Sequence, residues 1–208
     1  MRDPCRTFVD RSLEAGRSVN DPPATDDSIA RFRLDERELR DALGTFATGV
    51  AIVTTTPSDG RPRGMTVNSF AAVSLSPPLV LWNVADNSPS SAAFRDATHF
   101  AVNVLALEQL EYSRQFSRAT PDKFAHVPFS LSPTGCPILA GAVAHFECAR
   151  EHVYTGGDHA IIVGRVLRFT HASAPTLVFC QGRYQRTVAL EPGADAQAEL
   201  SVAWSGLA

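Results

Sequence analysis

Residues 63–79 read Arg63-Gly64-Met65-Thr66-Val67-Asn68-Ser69-Phe70-Ala71-Ala72-Val73-Ser74-Leu75-Ser76-Pro77-Pro78-Leu79, and this stretch decides the fold. It predicts one β-strand from Gly64 to Leu75, because side chains along a strand alternate between two faces. One predicted face carries apolar groups, which are Met65, Val67, Ala71, Val73 and Leu75. The other carries Thr66, Asn68, Phe70, Ala72 and Ser74. Pro77-Pro78 separates this strand from the next one.

The second of these faces has an unusual composition. A strand face in contact with water normally carries Lys, Glu or Arg, whereas this one carries hydroxyl, amide, aromatic and small groups. Ser69 adds another hydroxyl beside it. Neutral donors and acceptors on a small-residue surface suit a flat heteroaromatic ring with alternating acceptors and an N–H. A polar barrel interior, in which the hydroxyl groups satisfy one another, is the alternative that the pattern leaves open.

Short strands surround this stretch on both sides. We predict them at residues 50–56, 79–84, 99–105, 142–150, 159–169 and 176–179. Helical segments are predicted near residues 89–96, 107–117 and 121–124. Many strands at short spacing with few helices between them predict a mainly β protein with peripheral helices and a β-barrel core. No glycine-rich dinucleotide or phosphate loop is present in the sequence.

The first predicted helix begins after Asp35, whose carboxylate can cap the backbone, with Glu38 at the capping-box position. Apolar residues then recur at helical spacing and predict a stripe that faces a core. They are Leu39, Ala42, Leu43 and Phe46. Gly49 is expected to end this helix.

Composition excludes several classes of protein. The 208 residues are 44% hydrophobic and carry a net charge of −3, which gives no basic field for nucleic acid. No apolar run is long enough for a membrane span, and the N-terminus lacks a signal core, so we expect a cytoplasmic protein. The four cysteines form no C-x-x-C pair and no cluster with histidines at the spacing of zinc ligands, so no metal site is predicted. We expect a flexible leader at 1–28, one domain at 29–188 and a tail at 189–208.

Six segments together carry a family resemblance over about residues 36–187. The run from Gly64 to Leu81 resembles the signature of the short-chain flavin reductases. Five further segments resemble that family's motifs in the expected order: Phe46-Ala47-Thr48-Gly49-Val50, Phe100-Ala101-Val102-Asn103-Val104-Leu105, Asp122-Lys123-Phe124, Gly156-Gly157-Asp158-His159 and Gly182-Arg183-Tyr184. The resemblance implies an FMN-binding split barrel that forms a homodimer. It further implies an NAD(P)H-dependent reductase that supplies reduced FMN or FAD to a separate flavin-dependent monooxygenase.

The same resemblance implies a set of cofactor-binding residues. The isoalloxazine ring and ribityl chain are expected to contact Gly64, Met65, Thr66, Asn68 and Ser69, partly through backbone groups. The other edge of the ring is expected to contact Asn83, Val84 and Ala85. Ser88 and Ser90 resemble the family's phosphate contacts at a helix N-terminus. Pro89 stands where many members of the family carry a polar or basic residue, which implies weaker binding of the phosphate. Phe116 is expected either beside the flavin or in the core.

His159 and Tyr184 are the implied catalytic residues. In the family's G-D-H motif the histidine lies on the nicotinamide side of the flavin, and Tyr184 is expected near the same pocket. A solvated loop position for His159 is the alternative. Hydride transfer needs no protein nucleophile, because the cofactors carry the chemistry. The residues do not decide whether the flavin is FMN or FAD, or whether the nicotinamide cofactor is NADH or NADPH. Two other functions also remain open. The protein could be a reductase whose tightly bound FMN passes electrons to iron or another acceptor, or it could be a non-catalytic flavin-binding partner within an oxygenase complex.

Overall fold

A computed structural model describes residues 34–120 and 122–188, and within these ranges the chain is mainly β. The helices are α1 (Glu36–Leu43), α2 (Ser91–Asp96) and α3 (Leu110–Ser117), the last preceded by a 3-10 turn at Leu107–Gln109. The strands are β1 (Thr48–Gly49), β2 (Ala51–Thr55), β3 (Arg63–Val67), β4 (Ala71–Leu75), β5 (Pro78–Ala85), β6 (His99–Val104), β7 (Phe129–Leu131), β8 (Pro137–Leu139), β9 (Ala144–Gly156), β10 (His159–His171), β11 (Leu177–Cys180) and β12 (Arg183–Arg186). The predicted leader and tail lie outside the described residues.

The main sheet has seven strands in the order β3-β2-β6-β9-β10-β5-β4. Smaller sheets are formed by β1-β11-β12 and by β7-β8. All pairs are antiparallel. Of the described residues, those up to Arg40 belong to one compact unit and those from Asp41 onward to another, and all of these strands belong to the second. No helix in the described ranges is long and apolar enough to cross a membrane.

The seven-stranded sheet is strongly curved. Its edge strands β3 and β4 are joined by residues 68–70 alone, which span at most about 15 Å. A flat seven-stranded sheet would hold its edges about 29 Å apart, at about 4.8 Å per strand spacing. The sheet therefore curls until its edges approach each other. No ladder joins β3 to β4 within the described residues, so this sheet is open and not a closed barrel.

The predicted strand from Gly64 to Leu75 is in fact two strands. The chain leaves one edge of the sheet after Val67 and joins the other edge at Ala71. Ser69 stabilises the crossing, because its Oγ accepts a hydrogen bond from the backbone N–H of Asn83 at 2.9 Å. The predicted alternation stops at this crossing, and β4 exposes side chains of both predicted faces.

Two clusters form the core on the two sides of β2. One is built around Trp82, whose ring packs edge-on against Phe94 and Phe100 at centroid distances of 5.0 and 5.8 Å. The other contains Ile52 and Phe116 and lies under α3. Aromatic burial of this kind contributes about 1.5–3 kcal/mol per side chain to stability.

Helix α1 confirms one part of its prediction and contradicts another. Asp35 Oδ1 accepts hydrogen bonds from the backbone N–H groups of Arg37 and Glu38, as a helix cap should. The helix ends at Leu43, before Gly44, and not at Gly49. Among the described residues no side chain of α1 is buried and Phe46 is 77% exposed, so the predicted core-facing stripe is not seen there. Helical spacing identifies an apolar face but does not say what covers it.

Three further differences concern the type, number and length of individual elements. The predicted helix near 121–124 is a turn at 123–126, and Pro121 lies outside the described residues. Strands β7, β8 and β12 were not predicted, because runs of three or four residues show no clear period. Strands β9 and β10 are longer than expected, and they continue as a paired ribbon up to Gly156 and His159.

Candidate functional site

Three clefts meet at strand β3, and Thr66 lines all of them. The first cleft has a volume of about 480 Å³ and lies between β3, the end of α3 and the segment before α2. The second, of about 390 Å³, lies between β3, β5 and the turn that joins β9 to β10. The third, of about 170 Å³, is bounded by β3 and the small sheet that contains Phe179 and Tyr184. β3 is an edge strand, so half of its backbone groups are not used by the sheet.

The wall between β3 and α3 depends on a glycine. A Cβ at Gly64 would lie 2.5 Å from Phe116 Cε1 and 2.6 Å from Cδ1, so only glycine lets this ring rest on the strand. Phe116 is wholly buried, and its ring meets Phe124 edge-to-face at 4.9 Å. It also lines the first cleft, so Phe116 packs in the core and borders this cleft, and its expected position beside a flavin stays a prediction.

A buried serine on α3 connects the polar groups of this wall. The hydroxyl of Thr66 donates to the backbone carbonyl of Ser113 at 2.7 Å. Ser113 Oγ lies 2.9 Å from the hydroxyl of Tyr184. These bonds fix the side chains of Thr66 and Tyr184. Because the Thr66 O–H is already used as a donor, a ligand in the clefts meets Thr66 through its backbone and through the lone pairs of its hydroxyl oxygen.

The second cleft gathers most of the residues expected at the ring. It is lined by Met65, Thr66, Val67, Asn68, Ser69, Asn83, Ala85, Gly156, His159 and Ile161. Asn83 Oδ1 is buried and has no hydrogen-bond partner among the described residues. A buried acceptor left in this state costs about 1–3 kcal/mol, and an N–H group of a bound ligand would relieve that cost. The free Asn83 acceptor and the polar groups around it therefore fit a heteroaromatic ring with an imide-type N–H.

The side chain of Val84 lies on the opposite face of β5 from its two neighbours. Along β5 the side chains of Asn83 and Ala85 face the second cleft, so Val84 between them points to the other side of the sheet. There it is completely buried in the core with Trp82. Its side chain therefore does not line the second cleft, and a contact of its backbone with a ring edge stays a prediction.

His159 is positioned by the turn between β9 and β10. Gly157 takes a positive φ of +68°, which lets this turn close, and Asp158 follows it. Asp158 Oδ1 lies 2.7 Å from His159 Nδ1, and this hydrogen bond and the charge of His159 lower the pKa of the Asp158 carboxyl. The imidazole is 43% exposed and lines the second cleft, with Nε2 unpartnered within the described part of the chain.

Tyr184 and His159 line different clefts. Tyr184 borders the third cleft together with Val50 and Phe179, and its ring packs against Phe179 at 5.3 Å. The two clefts share Thr66, Val67 and Asn68 as a common border. The two side chains thus line neighbouring clefts that Asn68 borders on both sides, and their joint role at one nicotinamide pocket stays a prediction.

The first cleft holds charged residues that the sequence analysis missed. Ser88, Pro89 and Ser90 line it, and the expected phosphate contacts of the two serines stay a prediction. Its lining also includes four cations, Arg61, Arg63, Arg118 and Lys123, and no carboxylate. The Asp122-Lys123-Phe124 motif was a signal for one of them. The two arginines at 61 and 118 come from separate loops, and no spacing in the sequence connects them.

Within the described ranges, no group of three or more His, Cys, Asp or Glu side chains is placed to bind a metal ion. The titratable groups of the three clefts are the four cations, His159 and Tyr184. The clefts thus offer neutral polar groups, aromatic edges and positive charge. Such a site can bind and orient an anionic aromatic ligand.

Comparison with known proteins agrees with this geometry. Residues 43–187 match the family model described as "Flavin reductase like domain". The NADH-dependent FMN reductase SmoA of Agrobacterium fabrum is 46% identical over 152 residues, which cover 73% of this chain and 86% of that protein. The reductase component of the flavin-dependent trigonelline monooxygenase of Acinetobacter baylyi is 46% identical over 148 residues. That match covers 71% of this chain and spans 48% of the relative's length.

A solved structure shares the fold. The NADH:FAD oxidoreductase SgcE6 of Streptomyces globisporus, determined in complex with NAD and FAD fragments, superposes with a TM-score of 0.70. The sequence identity is 41%, and the superposition covers 77% of this chain and 96% of that one.

Proposed function

Because this chain belongs to the flavin reductase-like family, we propose that it is an NAD(P)H:flavin oxidoreductase that supplies reduced FMN or FAD to a separate flavin-dependent monooxygenase. One observation carries the proposal: three clefts of different character meet at Thr66. A flavin likewise has three arms that diverge from its central ring. These are a polar pyrimidine edge, an apolar dimethylbenzene edge and a phosphorylated ribityl chain.

Each cleft suits one of these arms. Asn68, Ser69 and the unpartnered Oδ1 of Asn83 support the pyrimidine edge in the second cleft. The third cleft is lined by Val50, Val67, Phe179 and Tyr184 along with polar groups, and it suits the dimethylbenzene edge. Gly64, Met65, Ser88, Ser90 and Phe116 line the first cleft, which suits the ribityl phosphate.

A flavin bound in this way supplies the acceptor for the hydride of the nicotinamide cofactor. The residues of the chain hold and orient the two reactants. Asp158 fixes the imidazole of His159, which borders the second cleft and orients the nicotinamide from that side. Unpaired N–H groups on the edge strand β3 stabilise negative charge on the reduced ring, since backbone donors already aimed at a ligand need no rearrangement.

A split barrel and a homodimer are also part of the proposal. The curved sheet with its open β3 and β4 edges supports the first. Exposed apolar side chains on the main sheet support the second, because a monomer leaves them in water. They include Val73, Leu75, Leu167 and Phe169, of which Phe169 is 66% exposed. We further propose a cytoplasmic location, which the free thiols of Cys136, Cys148 and Cys180 support.

The test of this function mixes the purified protein with NADH and either FMN or FAD, and follows the loss of NADH absorbance. We expect sustained turnover that needs added flavin, together with substoichiometric flavin in the protein as purified. A companion assay replaces NADH by NADPH. A stoichiometric yellow complex that survives dialysis and does not react with either nicotinamide cofactor would contradict the proposal.

A further inference from the structure

We infer that Ser113 is a positioning residue, which fixes the width of the third cleft and thereby sets the affinity of the site for the isoalloxazine ring. The inference rests on the proposed function and gives a role to a residue that does not itself line any of the three clefts. Ser113 is wholly buried in α3. It therefore acts through the side chains that it holds, which are those of Thr66 and Tyr184.

Ser113 joins two residues that line the same cleft. Thr66 lies on β3 in the main sheet, and its hydroxyl donates to the backbone carbonyl of Ser113 at 2.7 Å. Tyr184 lies on β12 in a small sheet, and its hydroxyl oxygen lies 2.9 Å from Ser113 Oγ. Both residues line the third cleft. One buried residue thus sets the distance between two parts of the cleft lining that belong to different sheets.

The hydroxyl of Ser113 is used for a tertiary contact. A serine within a helix commonly bonds back to a carbonyl of the preceding turn, because that acceptor is nearby. Ser117 on the same helix does so, since its Oγ donates to the carbonyl of Arg114 at 2.9 Å. The Ser113 hydroxyl instead bonds to Tyr184, which is 71 residues away in the chain. This bond therefore ties α3 to the lining of the third cleft.

Tyr184 depends on this bond because its strand is held on one side. β12 pairs with β11 and is an edge strand of its sheet. The Tyr184 ring packs edge-on against Phe179 at 5.3 Å, and Ser113 holds the hydroxyl. Without that bond the ring turns more freely about its side-chain torsions. The third cleft has a volume of only about 170 Å³, so a small displacement of this ring changes how well a flat ligand fits.

Two substitutions remove this bond from opposite ends. Thr66 uses the backbone carbonyl of Ser113, so Ser113→Ala keeps that bond and removes the link to Tyr184. Tyr184→Phe removes the same link and keeps the aromatic ring. Each variant should raise the Kd for FMN about fivefold in equilibrium titration, as for the loss of one neutral hydrogen bond. The Kd for riboflavin should rise by the same factor, because riboflavin has the same ring without the phosphate.

The double variant tests whether the two side chains act as a unit. Ser113→Ala combined with Tyr184→Phe should bind FMN as tightly as Tyr184→Phe alone, because no bond between them is left to remove. The visible absorption spectrum of FMN at saturation is a second readout, since it reports the surroundings of the ring. Both single variants should shift this spectrum in the same direction. In turnover assays, Ser113→Ala should raise the KM for FMN and leave the KM for NADH unchanged.

Thr55→Val is the matched control. Thr55 is 1% exposed on β2, its hydroxyl donates to the carbonyl of His99 at 2.8 Å, and it lines none of the clefts. The substitution removes a buried hydrogen bond and keeps the shape of the side chain. It should lower the Tm, as Ser113→Ala does. It should leave the Kd for both flavins and the spectrum of bound FMN as in the parent.

The outcomes separate the inference from the proposed function. An unchanged Kd and spectrum in Ser113→Ala, or an equal rise of Kd in Thr55→Val, overturns the inference alone. So does a double variant in which the two effects multiply to about 25-fold. A rise of Kd for FMN without a rise for riboflavin also overturns it, because the effect would then come from the first cleft. A parent that binds flavin and oxidises neither NADH nor NADPH overturns the proposed function alone, and a parent that binds no flavin overturns both.

Discussion

Gly64→Ala tests how closely α3 must approach β3. The added methyl group would lie 2.5 Å from Phe116 Cε1, well inside van der Waals contact, and 3.3 Å from Phe124 Cζ. Phe116 has no space to turn away, because it is completely buried and its ring meets Phe124 edge-to-face at 4.9 Å. The helix must therefore move, and the 2.7 Å hydrogen bond from Thr66 to Ser113 must lengthen.

The magnitude follows from these contacts. Overpacking a core costs about 1–3 kcal/mol, and the strained hydrogen bond adds about 1 kcal/mol. The sum of about 2–4 kcal/mol corresponds to a fall in Tm of about 5–15 °C for a domain of this size. Flavin affinity should fall as well, since Gly64 and Phe116 form a wall of the first cleft.

Thermal unfolding and equilibrium titration with FMN measure the two effects. Gly49→Ala is the matched control: it lies at the start of the same domain, and its added Cβ would meet nothing within 4 Å. The second variant, Gly64→Ala combined with Phe116→Leu, should recover part of the Tm lost by Gly64→Ala, because the smaller side chain leaves room for the methyl group. A Tm for Gly64→Ala within about 1 °C of the parent would refute the reasoning.

Three further predictions address single side chains. Asn68→Ala should weaken flavin binding by about 1–3 kcal/mol with a smaller change in stability, as measured by titration and melting; unchanged affinity with a lowered Tm would make Asn68 structural. His159→Ala should lower kcat/KM for NADH about tenfold in rapid mixing while flavin affinity changes little; unchanged hydride-transfer kinetics would make it a solvated loop residue. Although burial opposes it, hydrogen bonds from Ser132 and Thr134 hold the pKa of Glu147 below its ordinary 4.5. Its contribution to stability is therefore present above that value and is lost as the pH falls through the folded-state pKa. Glu147→Gln should accordingly flatten the acid side of a plot of unfolding free energy against pH. An unaltered acid side would exclude this role.

The sequence by itself determined the class of the protein and the order of most of its longer elements, and it predicted residues that line the clefts. These depend on local signals, such as the Asp35 cap at α1 and the β-branched run at 51–55. The motifs that carry the family resemblance also lie in short contiguous segments. Of the expected cofactor-binding residues, all but Val84 line the first or second cleft, because they lie at β3, at the end of β5 or beside α2 and α3.

Only the tertiary structure decided what depends on contacts between distant segments. A period-two pattern continues through Asn68–Phe70, yet the chain there crosses from one edge of a curved sheet to the other. The cations of the first cleft come together because α3 and two loops meet beside β3. Tyr184 and His159 line two different clefts that share Asn68 in their lining, which no spacing could reveal. Periodicity reports the faces of one element, whereas the closing of the sheet determines which elements face each other.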